Sequence, residues 1–239
     1  MEAIAQIWVY LAERPLLWLT VTVVTYYLAH RIYHASGELA LLNPVLLAVT
    51  ALVAILAATG TPYAVYFDGA QFVHFMLGPA TVALAVPLFG ELPTLRRLWL
   101  PLTVALAVGS VTAVISALAI GYLLGLTPQT LLSLLPKSVT TPIAMGIAEK
   151  VGGLPSLTAV LVILTGITGA VIGPPLLSAI GIRRSDTRGF AMGVAAHGIG
   201  TARAFQENEK AGAFSGLGMG LNGALTAIVV PLIIWLVGM

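Results

Sequence analysis

Seven long stretches of the chain are dominated by apolar and small residues: 15–32, 39–58, 70–89, 98–124, 154–180, 189–205 and 211–237. A bilayer's hydrocarbon layer takes a helix of about 20 residues, so each stretch is expected to form a membrane span. Residues 127–153 depart from the pattern. Two short apolar runs there are separated by Pro136-Lys137-Ser138-Val139-Thr140-Thr141-Pro142 and followed by Glu149-Lys150. Neither run is long enough to cross.

Charge gives the expected orientation. The densest basic clusters, Arg96-Arg97 and Arg183-Arg184 with Arg188, mark cytoplasmic loops. With both inside, 98–124 leaves the cytoplasm and 154–180 returns, so 127–153 must begin and end on the outer side as a re-entrant loop. Non-helical backbone at membrane depth needs protein or a cavity to satisfy it, which makes this loop a candidate site. The same parity has 70–89 run inward and 189–205 run outward. Gly78-Pro79-Ala80-Thr81 also echoes Gly198-Ile199-Gly200-Thr201, as in inverted repeats, although a match this short also arises by chance in so apolar a chain. The expected architecture is an all-α polytopic membrane protein: one integral membrane domain, 1–239, with about seven or eight spans and broken or re-entrant helices. Inverted repeats at 15–125 and 128–239 would make it resemble an elevator-type transporter.

Composition excludes several classes. Of 239 residues, 59% are hydrophobic and 8% charged, against roughly 25% charged in soluble domains, and the mean hydropathy is +1.01. A water-soluble globule cannot be covered with so little charge. The net charge of +2 is scattered between apolar runs, so no nucleic-acid face is expected. With no cysteine, disulfides, thiolate nucleophiles and sulfur-ligated metals are excluded together. Met1-Glu2-Ala3-Ile4 lacks the features of a signal peptide, so the first apolar stretch is expected to remain in the mature protein.

Four polar stretches can carry chemistry. Around Lys137, Ser138, Thr140 and Thr141, prolines break the helix at both ends. A helix starting near Pro142 would present unpaired N–H groups that attract anions; alternatively the hydroxyls only cap a buried helix while Lys137 snorkels to the interface. In His197-Gly198-Ile199-Gly200-Thr201-Ala202-Arg203, the glycines allow unwinding. Arg203 would then face a carboxylate, or simply end the helix paired with Glu207 four residues on. Asn43-Pro44 and Gly78-Pro79-Ala80-Thr81 read either as helix breaks offering backbone groups or as tolerated kinks. Gly218-Met219-Gly220-Leu221-Asn222-Gly223 matches a dinucleotide fingerprint in letters, but no strand precedes it, so close helix packing explains it. His30 and His34 have helical ligand spacing but read as an interfacial helix end, and Glu149-Lys150 as a loop ion pair. No metal, cofactor or catalytic triad is expected, hence no enzyme.

Together, Asn43-Pro44, the run from Leu77 through Gly78-Pro79-Ala80-Thr81 to Leu88, Pro136 through Ala144, and His197 through Ala204 resemble the LrgB/CidB family of bacterial membrane proteins. That resemblance implies antiholin-like modulation of murein hydrolase activity and autolysis, often beside a smaller LrgA/CidA-like membrane partner. A plastid relative exports glycolate and glycerate, and bacterial members are associated with pyruvate uptake. The expectation is therefore a multi-pass secondary transporter of small monocarboxylates in the cell's inner (plasma) membrane. Thr140, Thr141 and the adjoining helix end, with Lys137 and Ser138, would hold the carboxylate. Thr201 and backbone at Gly198 and Gly200 would receive the 2-oxy group, Arg203 would supply charge, and His197 would couple protons; Asn43 and Thr81 complete the candidate set. H+ or Na+ coupling and a homo-oligomer are also expected. The alternative is a holin/antiholin-like oligomer that forms or restrains a pore.

Overall fold

A computed structural model describes residues 15–39 and 42–238. Among them the chain is helical, with no strand, and divides into two compact units between Ala83 and Leu84.

In the first unit, α1 (Pro15–Ala35) packs against α2 (Pro44–Thr59) and α3 (Tyr63–Phe75), and α4 (Leu77–Ala83) follows. Asn43 starts α2 as its N-cap: its side-chain oxygen accepts from the Val45 and Leu46 amides at 2.9 and 3.4 Å. Pro44 occupies the first turn, where its missing N–H costs nothing. Fully buried Trp18 on α1 meets the Tyr66 ring edge-on at 5.8 Å, an aromatic geometry that adds to plain area burial. The helices touch through Gly69, where a β-carbon would lie 2.1 Å from the Pro15 carbonyl oxygen.

The second unit contains α5 (Ala85–Gly90), α6 (Leu92–Leu123), α7 (Pro128–Leu134), α8 (Thr141–Val151), α9 (Pro155–Ala179), α10 (Ser185–Glu207) and α11 (Glu209–Val237). Four described segments are long and apolar enough to cross a bilayer: Tyr63–Gly90, Leu92–Leu123, Pro155–Ala179 and Glu209–Val237. The expected broken segment at 127–153 is present. At 1.5 Å per residue, α7 and α8, with 7 and 11 residues, are about 10 and 16 Å long. Each is too short to span. The last turn of α7 is held to the start of α9: the Ser133 hydroxyl accepts from the Leu154 amide at 2.7 Å, and Thr158 donates to the Ser133 carbonyl at 3.0 Å.

The stretch 189–205, expected to cross once, instead turns back on itself. α10 is interrupted at Ala196 (φ −131°, ψ 16°) and His197 (φ 42°, ψ −133°). If it were straight, Arg188 and Glu207 would be about 28 Å apart along the axis; they form a salt bridge at 2.8 Å. Gly200 likewise packs so tightly on the first arm that a β-carbon would lie 2.6 Å from the Met192 carbonyl. α10 is thus a helical hairpin with arms 185–196 and 198–207. The physical reason lies in composition: this helix carries Asp, Arg, His, Thr and several glycines, both its arms carry buried residues, and its short arms find partners in protein.

The hairpin base is clamped by Arg188. Its Nε and Nη2 donate to the two Glu207 carboxylate oxygens at 2.8 Å each, and its other N–H groups reach the Ser178 hydroxyl (3.1 Å) and the Ile182 (3.0 Å) and Pro174 (3.3 Å) carbonyls at the end of α9. Only a planar, five-donor guanidinium fills this set. The arms then press on α11 through small residues: a β-carbon on Gly189 or Gly193 would lie 2.0 Å from the carbonyl oxygen of Ala211 or Ser215.

Two stability predictions follow from this geometry. Gly193→Ala should lower the thermal midpoint of the detergent-purified protein, at a cost of at least about 1–3 kcal/mol for overpacking. Gly220→Ala, whose β-carbon meets nothing within 4 Å, should not. Arg188→Lys, which keeps the charge but loses the fork, should cost on the order of 2 kcal/mol, below the value for a fully buried pair; an unchanged midpoint would contradict the clamp.

Candidate functional site

The two hairpins enter from opposite ends of α9: α7 and α8 join its first residues, and the base of α10 is fixed to its last turn. Their tips meet inside the unit. The meeting point is organised by Asn222 of α11, which is completely buried. Its Nδ2 donates to the carbonyls of Val194, just before the α10 break, at 2.9 Å and of Ser138, in the turn before α8, at 3.3 Å. Its Oδ1 accepts from the Ser110 hydroxyl of α6 and from Thr226 at 3.3 Å. One amide therefore uses both donors and both acceptor positions on α6, α10, α11 and the α8 entry turn.

Around this hub stand several expected residues. Thr140 is the N-cap of α8, but its side chain makes no capping bond; Thr141 and Pro142 form the first turn. The first amides of an α-helix have no intrahelical acceptor and carry the positive end of its dipole. Ser138 is 2% exposed, and its hydroxyl has no hydrogen-bond partner among the described residues. Lys137 is half-buried beside it. His197 lies buried at the α10 tip with a positive φ, rare for a non-glycine residue, and its Nε2 is 3.0 Å from the Val162 carbonyl of α9. The ring lies flush on Gly166, where a β-carbon would come within 2.6 Å of Cε1. Thr201 donates to the His197 carbonyl at 2.8 Å and shares a 2.9 Å contact with buried Ser215.

Other expected residues stand apart. Arg203 lies about 9 Å beyond the break along the second arm and donates from Nη1 to Gln206 at 2.9 Å; Glu207, the partner of the alternative reading, is held by Arg188. Gly200 serves the contact between the hairpin arms, while Gly198 is exposed. Asn43 belongs to the first unit, with its side chain committed to capping α2. Thr81 falls in α4, and its side chain lies outside the described residues. His34 pairs with Glu38 at 3.2 Å on an exposed helix end. At the edge of the second unit, the Arg184 guanidinium holds the Asp186 carboxyl below its ordinary value, and Lys210 does the same for Glu91.

Asn222, Ser110 and Ser215 were not among the expected site residues. The available signal was a lone amide inside an apolar helix, where an unpaired polar group is costly.

The LrgB-like family model matches residues 22–236. The chain belongs to the LrgB-like family. It is 38% identical over 216 residues to the Bacillus subtilis protein YwbG, covering 90% of this chain and 96% of that protein. It is 29% identical to the "Holin-like protein CidB" of Staphylococcus epidermidis, covering 93% and 97%, and 27% identical to the "Antiholin-like protein LrgB" of Bacillus cereus, covering 94% and 97%. No solved structure matches the chain. This LrgB-family chain is therefore a membrane protein similar along nearly its whole length to holin-like and antiholin-like proteins.

Replacing Asn222 tests the hub. Asn222→Leu keeps the volume but strands two buried carbonyls, each costing about 1–3 kcal/mol, so the thermal midpoint should fall well below that of Ser110→Ala, which removes one donor. Equal, small effects would show that the tips are held by something else.

Proposed function

We propose that this LrgB-family protein acts in the cell's inner membrane as a holin/antiholin-like modulator of passage across the bilayer, and through it of murein hydrolase export and autolysis. The observation that carries this reading is end-to-end similarity to proteins named holin-like and antiholin-like. An LrgA/CidA-like membrane protein is the proposed partner, and a homo-oligomer the proposed working form. No catalytic step is part of the reading.

A second reading is favoured by one structural feature: two hairpin tips that meet within the protein, one of them a helix N-terminus beside a buried, unpartnered Ser138 hydroxyl. Such a place suits a small carboxylate, because amide N–H groups and hydroxyls stabilise negative charge where water is scarce. In this reading the protein carries glycolate, glycerate, pyruvate or a similar monocarboxylate, with H+ or Na+ as coupling ion and the α10 hairpin as the moving element.

Purified protein in proteoliposomes separates the two. A pore-type modulator should pass unrelated solutes up to a size limit, without saturation. A carrier should give saturable uptake in which the monocarboxylates compete and show counterflow, and Ser138→Ala with Thr141→Val should cut that flux at least about tenfold, the loss of roughly 1.4 kcal/mol of interaction. Size-limited leakage untouched by these substitutions would remove the carrier reading. Saturable flux without leakage would remove the pore.

A further inference from the structure

A cavity of about 500 Å³ lies between α6 and the first arm of α10, reaching from Arg184 to Ala195, just short of the α10 break. Its walls run from Leu98 to Ala113 on α6 and from Phe190 to Ala195 on α10; Arg184, Asp186 and Thr187 form one end. Leu98 lines the same cavity as Arg184, Asp186 and Thr187; Leu102 and Leu106 pack against the Phe190 and Val194 cluster, and Gly109 faces Val194, whose Cγ1 would lie 3.2 Å from an added β-carbon. The α6 wall from Leu98 to Ala113 is about 22 Å long and the facing side from Arg184 to Ala195 about 16 Å, comparable with the roughly 15 Å of one leaflet's hydrocarbon. Its floor is kept shallow by small side chains such as Ala105, Gly109 and Ala195.

The polar end is cationic. Arg96 and Arg97 immediately precede Leu98, Arg183 precedes Arg184, and all four are exposed. The one acidic residue of the cavity, Asp186, is already engaged: Arg184 donates to it from Nε at 3.1 Å and Nη2 at 2.8 Å, and Thr187 donates from its amide at 2.7 Å and its hydroxyl at 3.0 Å. Arg184 remains 61% exposed with Nη1 outside that pair. Glu91, the next acid nearby in sequence, is held by Lys210 at 2.9 Å. Arg96, Arg97 and Arg183 form no ion pair among the described residues.

We propose that this trough is a binding site for an anionic phospholipid of the surrounding bilayer. One acyl chain lies along the α6 and α10 walls, and the phosphate sits among Arg96, Arg97, Arg183 and the outward N–H of Arg184. The chemistry follows from the two ends: apolar walls of acyl-chain length favour hydrocarbon by area burial, and guanidinium groups prefer phosphate, which accepts two of their N–H donors at once. A neutral lipid would fill the trough but leave the arginine cluster unanswered. The bound chain would wedge between α6 and the first arm of α10, so occupancy would set how firmly that hairpin is seated.

The test uses the full-length protein in a neutral detergent. Phosphatidylglycerol, phosphatidylcholine and laurate are titrated separately, with native mass spectrometry reading bound lipid and protein copies and a thermal midpoint reading stability. Phosphatidylglycerol should bind at least about tenfold more tightly than phosphatidylcholine, equivalent to roughly 1.4 kcal/mol, and should raise the midpoint. Ala105→Trp, at an exposed wall position that needs no buried space, should abolish the tight binding while the protein stays folded. The triple substitution Arg96→Gln, Arg97→Gln, Arg183→Gln should reduce phosphatidylglycerol to the phosphatidylcholine level. Equal binding of the two phospholipids, or tight binding that survives Ala105→Trp, would overturn the proposal. So would laurate binding as tightly as phosphatidylglycerol, which would mark a free fatty-acid site, or loss of a dimer in Ala105→Trp without loss of lipid, which would mark the trough as a contact between copies.

Discussion

A chain that reverses direction inside hydrocarbon must satisfy every backbone group it frees, because no water is there to do so. In this protein that constraint is met at two reversals by one side chain. The Asn222 amide takes the carbonyls at Ser138 and Val194, and its own oxygen is saturated by Ser110 and Thr226. A fully satisfied buried network specifies a unique arrangement, whereas a partly satisfied one is a liability. The tips are therefore fixed relative to α6 and α11 by polar complementarity, while the arms are fixed by close packing of glycine against carbonyl backbone. These devices act at different places: the amide at the tips, the glycine packing along the arms, and the Arg188 and Glu207 pair at the base of α10.

How much of this could be read from residues alone depends on the range of the interaction. The long apolar runs at 98–124, 154–180 and 211–237 announced their helices because length and composition are local properties. The broken 127–153 segment was also readable, since prolines between two short apolar runs interrupt a helix without any tertiary contact. The reversal of α10 was not. Its residues 189–205 have the length and small-residue content of a span, and the evidence for the fold-back is an ion pair between residues nineteen apart. The same fact undid the alternative reading that paired Arg203 with Glu207: the i,i+4 rule assumes an isolated helix surface, and a partner brought in by the fold-back, Arg188, offered Glu207 a two-point guanidinium contact. Asn222 was hidden differently. It sat inside a glycine pattern whose letters suggested a nucleotide motif, and setting that motif aside also set aside the one amide in the helix.

The glycines of that region serve packing on both sides of the reversal. Gly189 and Gly193 let the first arm approach the α11 backbone, Gly166 and Gly169 let α9 receive His197 and Ala196, and Gly200 lets the second arm close on the first. In lipid there is little hydrophobic gain from helix association, so close van der Waals approach through small residues must supply it. The arrangement is dense where α10 touches α9 and α11; where it faces α6, Leu102 and Leu106 pack on Phe190 and Val194 but a cavity remains beside them. That contrast leaves the α6 side, with its cavity, as the side on which the hairpin is packed least tightly.

The less tightly packed side gives the two readings of function a common physical basis. A modulator of passage and a carrier both need an element whose position relative to the rest of the unit can change, and the candidate in this fold is a hairpin with short arms, a strained residue at its tip and an ion pair at its base. His197 holds a left-handed backbone conformation that costs free energy, offset by its contact with the Val162 carbonyl and by the Thr201 hydroxyl on its own carbonyl. Motion that carried the tip past α9 would exchange those partners and would take the Val194 carbonyl from the Asn222 amide. The arrangement thus links the two tips through one side chain: when either leaves its seat, it carries away an unpaired carbonyl and leaves one Asn222 N–H without its acceptor.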